Sequence, residues 1–260
     1  MNYTRLQISQ QGAVAEVTLN RPDLHNAFDE ALIAELTEGF TRLSDDPNVR
    51  VVVLKGAGKS FCAGADLTYM GKMAGYSREE NLEDARALQR MFAAIAHCPK
   101  VTLARVHGAA IGGGAGLVAV CDLAIAAEEA TFALSEVRLG LVPAIIGPYV
   151  LEKIGMGAAR ALFVTGERIS AQEALRIGLV QQVTPAADLD AALEKKVELA
   201  RKAGPEAVAA AKRLLRAIAG KTPEEAAETT VECIAALRVS PEGQEGIRAF
   251  LEKRKPNFAE

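Results

Sequence analysis

Residues 105–140 limit the possible folds more than any other part of this 260-residue chain. They contain an apolar strand, a glycine-packed turn at 112–114, an apolar helix that begins inside that turn, a second strand, and then Glu136 in a mostly apolar run. A turn that leads into a helix start presents free backbone N–H groups, and the helix dipole adds positive potential there. The segment therefore predicts a site for an anion or a developing oxyanion. The alternative is that the glycines only let a helix pack closely on a sheet.

The rest of the first 140 residues alternates strand and helix patterns. Residues 14–20 alternate and are rich in β-branched side chains, and 51–55 (VVVLK) and 101–107 read as buried strands. Between them, Asp29 is placed to cap one helix, and Ser77 with Glu80 forms the capping box of a longer one. This order predicts an α/β fold with a mainly parallel sheet.

The later part of the chain has a different character. Residues 147–165, 170–177 and those after 186 read as helices, many rich in alanine. We place a boundary near residue 200, which gives an α/β core with the site at 1–199 and a helical region at 200–260. Because the alanine-rich faces of that region have little core of their own to bury, we expect them to pack on another subunit.

Composition narrows the function class. The formal net charge is −3, with 30 basic residues scattered along the chain, which argues against a nucleic-acid partner. No apolar run approaches the roughly 18 residues that span a membrane, and the first ten residues lack a signal-peptide pattern, so a cytoplasmic protein is expected. The four cysteines and three histidines show no metal-ligand spacing, so we expect reduced packing cysteines and no metal site.

A second glycine-containing loop, residues 63–66, also follows a buried strand and precedes a helix that Asp66 can cap. In a parallel sheet both loops would lie outside the carboxyl ends of the strands, where ligands bind. One N–H from each loop could then meet at a single oxygen, such as that of a carbonyl becoming an enolate. Glu136 is the candidate acid or base, the alternative being a surface glutamate or a helix cap.

Several motifs, taken in order and at their intervals, resemble the enoyl-CoA hydratase/isomerase (crotonase) family along essentially the whole chain. They are LNRP at 19–22, HNA at 25–27, FCAGADL at 61–67, HGAAIGGG at 107–114, CD at 121–122, SEVRLG at 135–140 and FLEKRKPNF at 250–258. The resemblance implies a crotonase-like core of repeated β-β-α units, followed by a C-terminal helical region used in oligomerisation. It also implies trimers or paired trimers.

The resemblance assigns roles to matching positions. It places the oxyanion hole on the N–H groups of Ala65 and Gly113. The coenzyme A cradle falls on the loop from Leu24 to Ala27 and on the stretch that contains Ala63, Asp66 and Leu67. Phe250 and Lys253 match positions that reach the CoA of a neighbouring subunit. Coenzyme A enters as part of the acyl-CoA substrate, so no separate cofactor is expected.

The sequence departs from the family pattern at one position. Typical enoyl-CoA hydratases hold the attacking water with two glutamates; this chain keeps the second, Glu136, and has Gly116 in place of the first. The version with Gly116 is most similar to bacterial 3-methylglutaconyl-CoA hydratases of leucine and isoprenoid catabolism, whose reverse reaction dehydrates 3-hydroxy-3-methylglutaryl-CoA. Gly116 would leave room for a branched acyl group, and Lys72, Tyr76 and Arg86 are candidates to bind its distal carboxylate.

Other functions stay open at this point. A Δ3,Δ2-enoyl-CoA isomerase needs only one glutamate to move a proton between C2 and C4, and a general short-chain enoyl-CoA hydratase would act on unbranched substrates. A non-catalytic CoA-binding or RNA-binding relative is the alternative from a different class. A CoA-binding module would leave Glu136 without a purpose, and RNA binding needs a basic face that the sequence does not show.

Overall fold

The computed structural model describes residues 3–259 of the chain. Its strands are β1 (Leu6–Gln11), β2 (Val14–Leu19), β3 (Val51–Gly56), β4 (Val101–Val106), β5 (Ala109–Ile111), β6 (Leu123–Ala127), β7 (Thr131–Ala133), β8 (Arg168–Ser170) and β9 (Gln182–Thr184). Six of them form one sheet in the order β1-β2-β3-β4-β6-β9, and β5-β7-β8 form a second, smaller sheet. In the large sheet only β1 is antiparallel to its neighbour, so the predicted α/β fold with a mainly parallel sheet is confirmed.

Helices follow the strands and then continue alone to the C-terminus. They are α1 (Glu30–Asp45), α2 (Leu67–Met73), α3 (Arg78–Ala96), α4 (Gly113–Val120), α5 (Gly147–Thr165), α6 (Ala171–Arg176), α7 (Leu189–Arg201), α8 (Pro205–Ile218), α9 (Pro223–Val239) and α10 (Pro241–Leu251). The predicted caps form: Asp29 accepts from the N–H of Leu32, and Ser77 and Glu80 make a capping box. Within residues 3–259, no helix is both long and apolar enough to cross a membrane.

The large sheet is covered on both faces, which explains its continuous apolar strands. On β3, Val52 and Leu54 belong to the larger core, which also takes in residues of α1, α3, α4 and α5. Val51 and Val53 point to the opposite face and pack with Leu193 and other residues of α7. Because strand side chains alternate, one run of four valine and leucine residues serves two cores.

The last three helices bury little of their own apolar surface. Residues 202–204 separate α7, which covers the sheet, from α8, close to the boundary predicted near residue 200. Large apolar side chains on these helices stay exposed, among them Leu215, Val239, Phe250 and Leu251. The division into two domains, and the use of this region in oligomerisation, stay predictions.

The cysteines are free thiols, and Cys62, Cys98 and Cys121 are buried. Burial raises the pKa of Cys62 and of Cys121 to about 12, so both stay protonated and unreactive at neutral pH. Across residues 3–259, no group of three or more His, Cys, Asp and Glu side chains lies close enough together to hold a metal ion.

Candidate active site

The two glycine loops lie side by side. The segment that enters the first loop runs parallel to β5, because the N–H of Cys62 donates to the carbonyl of Ala109 and the N–H of Ile111 donates to the carbonyl of Cys62, each at 2.9 Å. Both segments then turn, one into α2 and the other into α4. The predicted meeting of the two loops at one edge of the structure is therefore present.

The glycines are required by how closely these segments approach. A Cβ on Gly113 would lie 2.5 Å from the Phe28 ring, and one on Gly114 would lie 2.2 Å from the carbonyl oxygen of Cys62. Neither distance is possible for a real side chain. Gly112 turns the chain into α4 with a φ of 53°, a left-handed conformation that favours glycine. Close packing and an exposed helix start thus come from the same three residues.

Backbone N–H groups at both turns are free to bind an oxygen. Among the hydrogen bonds of residues 3–259, none is donated by the N–H of Ala65 or of Gly113. Ala65 is held firmly, since the carbonyl of Gly64 accepts from Phe28 at 2.7 Å and the N–H of Asp66 donates to Phe28 at 2.9 Å. Gly113 is the first residue of α4, where the helix dipole favours negative charge.

Glu136 projects onto the start of α4 from a short 3₁₀ helix, Ser135–Leu139. A Cβ at Gly112 would lie 3.1 Å from Glu136 Oε1, which brings the carboxylate next to the turn that carries the N–H of Gly113. Its other oxygen, Oε2, is buried and has no hydrogen-bond partner among the described residues. Burial raises the pKa of Glu136 above its ordinary value. A half-buried carboxyl group with a free oxygen and a raised pKa is suited to take and return a proton.

A cavity of about 420 Å³ joins these features. It is lined by Phe28, Ala63, Gly64, Ala65, Leu67, Tyr69, Met70, Met73, Asp84, Leu88, Ile111, Gly112, Gly113, Ser135, Glu136, Leu139, Leu141, Val142, Pro143, Ala144, Ile145 and Ile146. Apart from Glu136 its lining carries one carboxylate, Asp84, which accepts a hydrogen bond from Tyr69 Oη at 2.5 Å. The rest of the wall is mainly apolar, as expected of a site for an acyl chain.

A buried arginine holds the first glycine loop, residues 63–66, in place. Arg21 Nη2 lies 2.8 Å from Asp66 Oδ2 and 3.1 Å from Asp29 Oδ2, and its other terminal nitrogen donates to the carbonyl of Ala27. Asp29 caps α1 and Asp66 caps α2, so one guanidinium connects two helix starts. Arg21 was noted in the sequence only as part of a motif, and nothing there indicated this role.

The predicted CoA-binding residues of the first 67 positions differ in how they lie relative to the cavity. Ala63 and Leu67 line the cavity, and Leu67 is 85% exposed at its rim. Leu24 is exposed but does not line it. The buried Ala27 and the N-cap Asp66 also lie outside the lining, so in this structure their evident role is to support the loops.

Phe250 and Lys253 lie at the end of α10 and just beyond it, outside the lining of this chain's own cavity. Their predicted contact with the CoA of a neighbouring subunit stays a prediction.

The predicted acyl-pocket residues are not brought to the cavity. Lys72 is exposed and bonds to Glu30 at 2.9 Å, and Arg86 is exposed and pairs with Glu83. Tyr76 lines a separate groove between α1 and α3. Lys72 and Arg86 are thus held by ion pairs, and Tyr76 lies in a different groove. The sequence alone could not show these contacts.

Gly116 also differs from the expectation that it leaves open room for substrate. It is buried within α4, and the position of its missing side chain is filled by Ile146, whose Cγ2 would lie 2.3 Å from a Cβ at Gly116. The cavity is therefore lined by Ile146 and not by Gly116. Phe28, Tyr69, Asp84 and Ile146 are lining residues that the sequence did not indicate.

Known proteins share both the sequence pattern and this architecture. Residues 9–260 match the family model described as enoyl-CoA hydratase/isomerase. The chain is 33% identical to crotonyl-CoA hydratase of Syntrophomonas wolfei, over 99% of each chain, and 34% identical to 2,3-dehydroadipyl-CoA hydratase of Escherichia coli, over 98% of each. The crystal structure of an enoyl-CoA hydratase from Shewanella pealeana superposes with a TM-score of 0.95 at 41% identity, covering 98% of this chain and 96% of that one.

Proposed function

This chain belongs to the enoyl-CoA hydratase/isomerase family, and from that premise we propose that it catalyses the reversible syn hydration of a branched 2-enoyl-CoA thioester. The N–H groups of Ala65 and Gly113 bind the thioester oxygen and stabilise the enolate that forms when water adds to C3. A donor of this kind typically contributes about 2.7 to 4 kcal/mol to transition-state stabilisation. Glu136 is the general acid/base.

One carboxyl group is enough for both proton transfers. In hydration, the Glu136 carboxylate takes a proton from the attacking water as its oxygen bonds to C3, and the resulting carboxyl group then protonates C2 of the enolate. In dehydration, the carboxylate removes the C2 proton and returns it to the departing hydroxyl group. Addition is syn because the same side chain takes the proton from water at C3 and delivers a proton to C2, so both new bonds form on one face of the substrate.

The observation that carries this proposal is the buried Oε2 of Glu136, which has no hydrogen-bond partner, in one cavity with the N–H groups of Ala65 and Gly113, which also donate to no acceptor in the described chain. A buried polar atom normally has a hydrogen-bond partner, and one without a partner calls for an explanation. A substrate that brings both an oxygen acceptor and a transferable proton would satisfy all three groups.

The acyl group is inferred less directly. The predicted substrate, 3-methylglutaconyl-CoA, has a branch at C3 and a distal carboxylate. The apolar wall supports the branch, but no Lys or Arg lines the described cavity, so the carboxylate lacks a cation in this arrangement. The relatives act on crotonyl-CoA and on 2,3-dehydroadipyl-CoA by their names, so the family does not choose the acyl group. Turnover of 3-methylglutaconyl-CoA, 3-methylcrotonyl-CoA and crotonyl-CoA can be followed by absorbance of the conjugated thioester. The first two substrates differ in the distal carboxylate and the last two differ in the methyl branch, so the comparison measures the preference for each group.

Replacing Glu136 tests the mechanism. Glu136→Gln keeps the size of the side chain and removes the proton carrier, so we expect kcat to fall by about 10²- to 10⁴-fold with KM little changed. Glu129→Gln, an exposed glutamate outside the cavity, is the matched control and should keep full activity. Normal turnover by Glu136→Gln would mean that this mechanism is wrong.

A Δ3,Δ2-enoyl-CoA isomerase is the second candidate, favoured by the absence of a side chain at Gly116 that could hold water together with Glu136. Incubation with a 3-hydroxyacyl-CoA distinguishes the two, since a hydratase gives the conjugated thioester and an isomerase gives no dehydrated product.

We further propose that the enzyme works as a trimer or pair of trimers in the cytoplasm and needs no metal or separate cofactor. Unchanged activity after dialysis against EDTA would support the last point. Light scattering addresses the oligomer, and cell fractionation addresses the location.

A further inference from the structure

Ile146 occupies a position on the cavity wall that depends on a glycine behind it. It is 3% exposed, it lines the acyl cavity, and it is the residue just before α5. A Cβ added to Gly116 would lie 2.3 Å from its Cγ2 and 2.9 Å from its Cβ. Any side chain at position 116 would therefore displace Ile146. Both the Cβ and the Cγ2 of Ile146 would have to move.

A buried ring also limits the space at position 116. The same added Cβ would lie 3.1 Å from Cε1 of Phe92, a fully buried ring that packs against Tyr149 at a centroid distance of 6.1 Å. A side chain at position 116 would therefore press on Ile146 and on a fully buried ring, and of these two Ile146 is the one that borders the cavity and has open space to move into. Its position on the wall is thus coupled to the size of residue 116.

This part of the wall lies close to the reacting end of the site. Glu136 Oε1 meets α4 at Gly112, and Ile146 meets it at Gly116, whose N–H donates to the carbonyl of Gly112 at 3.0 Å. The two contacts are one helical turn apart, about 5.4 Å along the axis. Glu136 and Ile146 both line the cavity, so Ile146 is part of the wall that encloses the space next to the carboxylate.

We propose that Ile146 is a specificity-determining residue that sets the room available to a substituent at C3 of the acyl group, and that Gly116 positions it. The proposal rests on the proposed function, because Glu136 defines which carbon reacts. Gly116 acts through Ile146 and does not itself contact the substrate.

The test uses saturated acyl-CoA thioesters, which bind but do not react. The dissociation constants of 3-methylbutyryl-CoA and butyryl-CoA are measured by calorimetry for the wild type, Ile146→Ala, Gly116→Ala and the double variant. In an apolar pocket, one methyl group more or less changes the discrimination between two ligands by roughly tenfold or more. We expect Ile146→Ala to shift the ratio of the two dissociation constants about tenfold toward the branched ligand and Gly116→Ala to shift it as far the other way. The double variant should stay close to Ile146→Ala, because the side chain through which residue 116 acts is gone.

Ile145→Ala is the matched control. Ile145 lines the same cavity, but the three atoms nearest to an added Cβ at Gly116 belong to Ile146 and Phe92. Its effect should add to that of Gly116→Ala, whereas the effects at 146 and 116 should be strongly non-additive. If Gly116→Ala does not fold, Ile146→Val alone must still move the ratio toward the branched ligand by several-fold.

An unchanged ratio in Ile146→Ala, or additive effects at 116 and 146, would overturn the proposal. The result is separate from that for the proposed function. An enzyme without hydratase activity whose binding ratio shifts as described disproves only the reaction, and an active hydratase with an unmoved ratio disproves only the role of Ile146.

Discussion

The buried carboxyl group of Glu136, the proposed general acid/base, lowers the stability of the folded protein. Burial raises its pKa above the ordinary value of 4.5, so ionising it in the folded protein is harder than in the unfolded chain. Between pH 4.5 and the folded-state pKa, the native state holds a proton that the unfolded state has lost. Stability therefore falls as pH rises through this window, and the full cost is present above it. A carboxyl group used only for structure would gain a hydrogen-bond partner instead.

This linkage predicts opposite effects of Glu136→Gln on stability and on activity. Because glutamine has no charge to desolvate, the variant should melt at a higher temperature than the wild type at pH 7, and the two should converge below pH 4.5. In the wild type, kcat/KM should fall with decreasing pH through the raised pKa, because the reaction in either direction begins with the carboxylate. Thermal melts and a pH–rate profile check both points. If kcat/KM began to fall only at or below pH 4.5, or if Glu136→Gln were less stable than the wild type at pH 7, this account would be contradicted.

The sequence indicated residues that line the cavity where a residue stood out from its neighbours. Glu136 is an isolated carboxylate in an apolar run, and the glycine triplet marks a close approach, so both could be found without coordinates. Lys72 and Arg86 lie outside the cavity lining, because a lysine or arginine pairs with a carboxylate that the fold brings near, here Glu30 and Glu83. Ile146 gave no signal, since an isoleucine in an apolar segment is typical of any core.

At the level of helices, Arg21 fixes the first glycine loop, residues 63–66. Burial alone would raise the pKa of Asp66, but hydrogen bonds from Arg21 and from the N–H groups of Thr68 and Tyr69 outweigh it and lower the pKa. The Asp66 carboxylate therefore stays charged, caps α2 and keeps Ala65 next to Phe28. Loss of the guanidinium would leave the buried Asp29 and Asp66 carboxylates side by side without this cation.

We therefore expect Arg21→Ala to be strongly destabilising. Removing one partner of a buried ion pair costs about 3 to 5 kcal/mol. Arg5 offers a matched control, since it also bonds to Asp29, at 2.9 Å, but with 39% of its side chain exposed. Arg5→Ala should cost less than about 1 kcal/mol. Denaturant unfolding of both variants checks this, and equal losses would mean that Arg21 does not have the special role assigned to it.

Elements were predictable where the hydrophobic pattern was long enough. The bounds 147–165 of α5 and the strands β2, β3 and β4 follow from periodicity and match the structure within a residue or two. Strand β1 was missed because LQISQQ is a polar edge strand with one fully buried residue, Leu6. β5, β7 and β8 have three residues each, too few for an alternation to show, and they pair only because the turns bring them together.

For the molecule as a whole, the sequence predicted the α/β class and the helical C-terminal region, but not how the two are attached. Arg50 at the start of β3 donates to the carbonyls of Ala203 and Phe258, and Lys212 of α8 bonds to Asp122 at 2.7 Å. These contacts join residues 90 or more positions apart, which no local pattern encodes. They fix α8 to the sheet while α9 and α10 keep exposed apolar surface.

That exposed surface allows the predicted role of Phe250 to be tested apart from assembly. Phe250 and Leu251 are neighbours at the end of α10 and are 82% and 74% exposed, so truncating either removes similar apolar area. If Phe250 reaches the CoA of a neighbouring subunit, Phe250→Ala should raise KM for the acyl-CoA several-fold with kcat unchanged, whereas Leu251→Ala should leave KM as it is. Light scattering on both variants shows whether the oligomer persists. Equal changes in KM in the two variants, or a KM that rises only when the oligomer dissociates, would assign Phe250 to subunit packing. Exposed apolar side chains of one chain commonly mark such an interface.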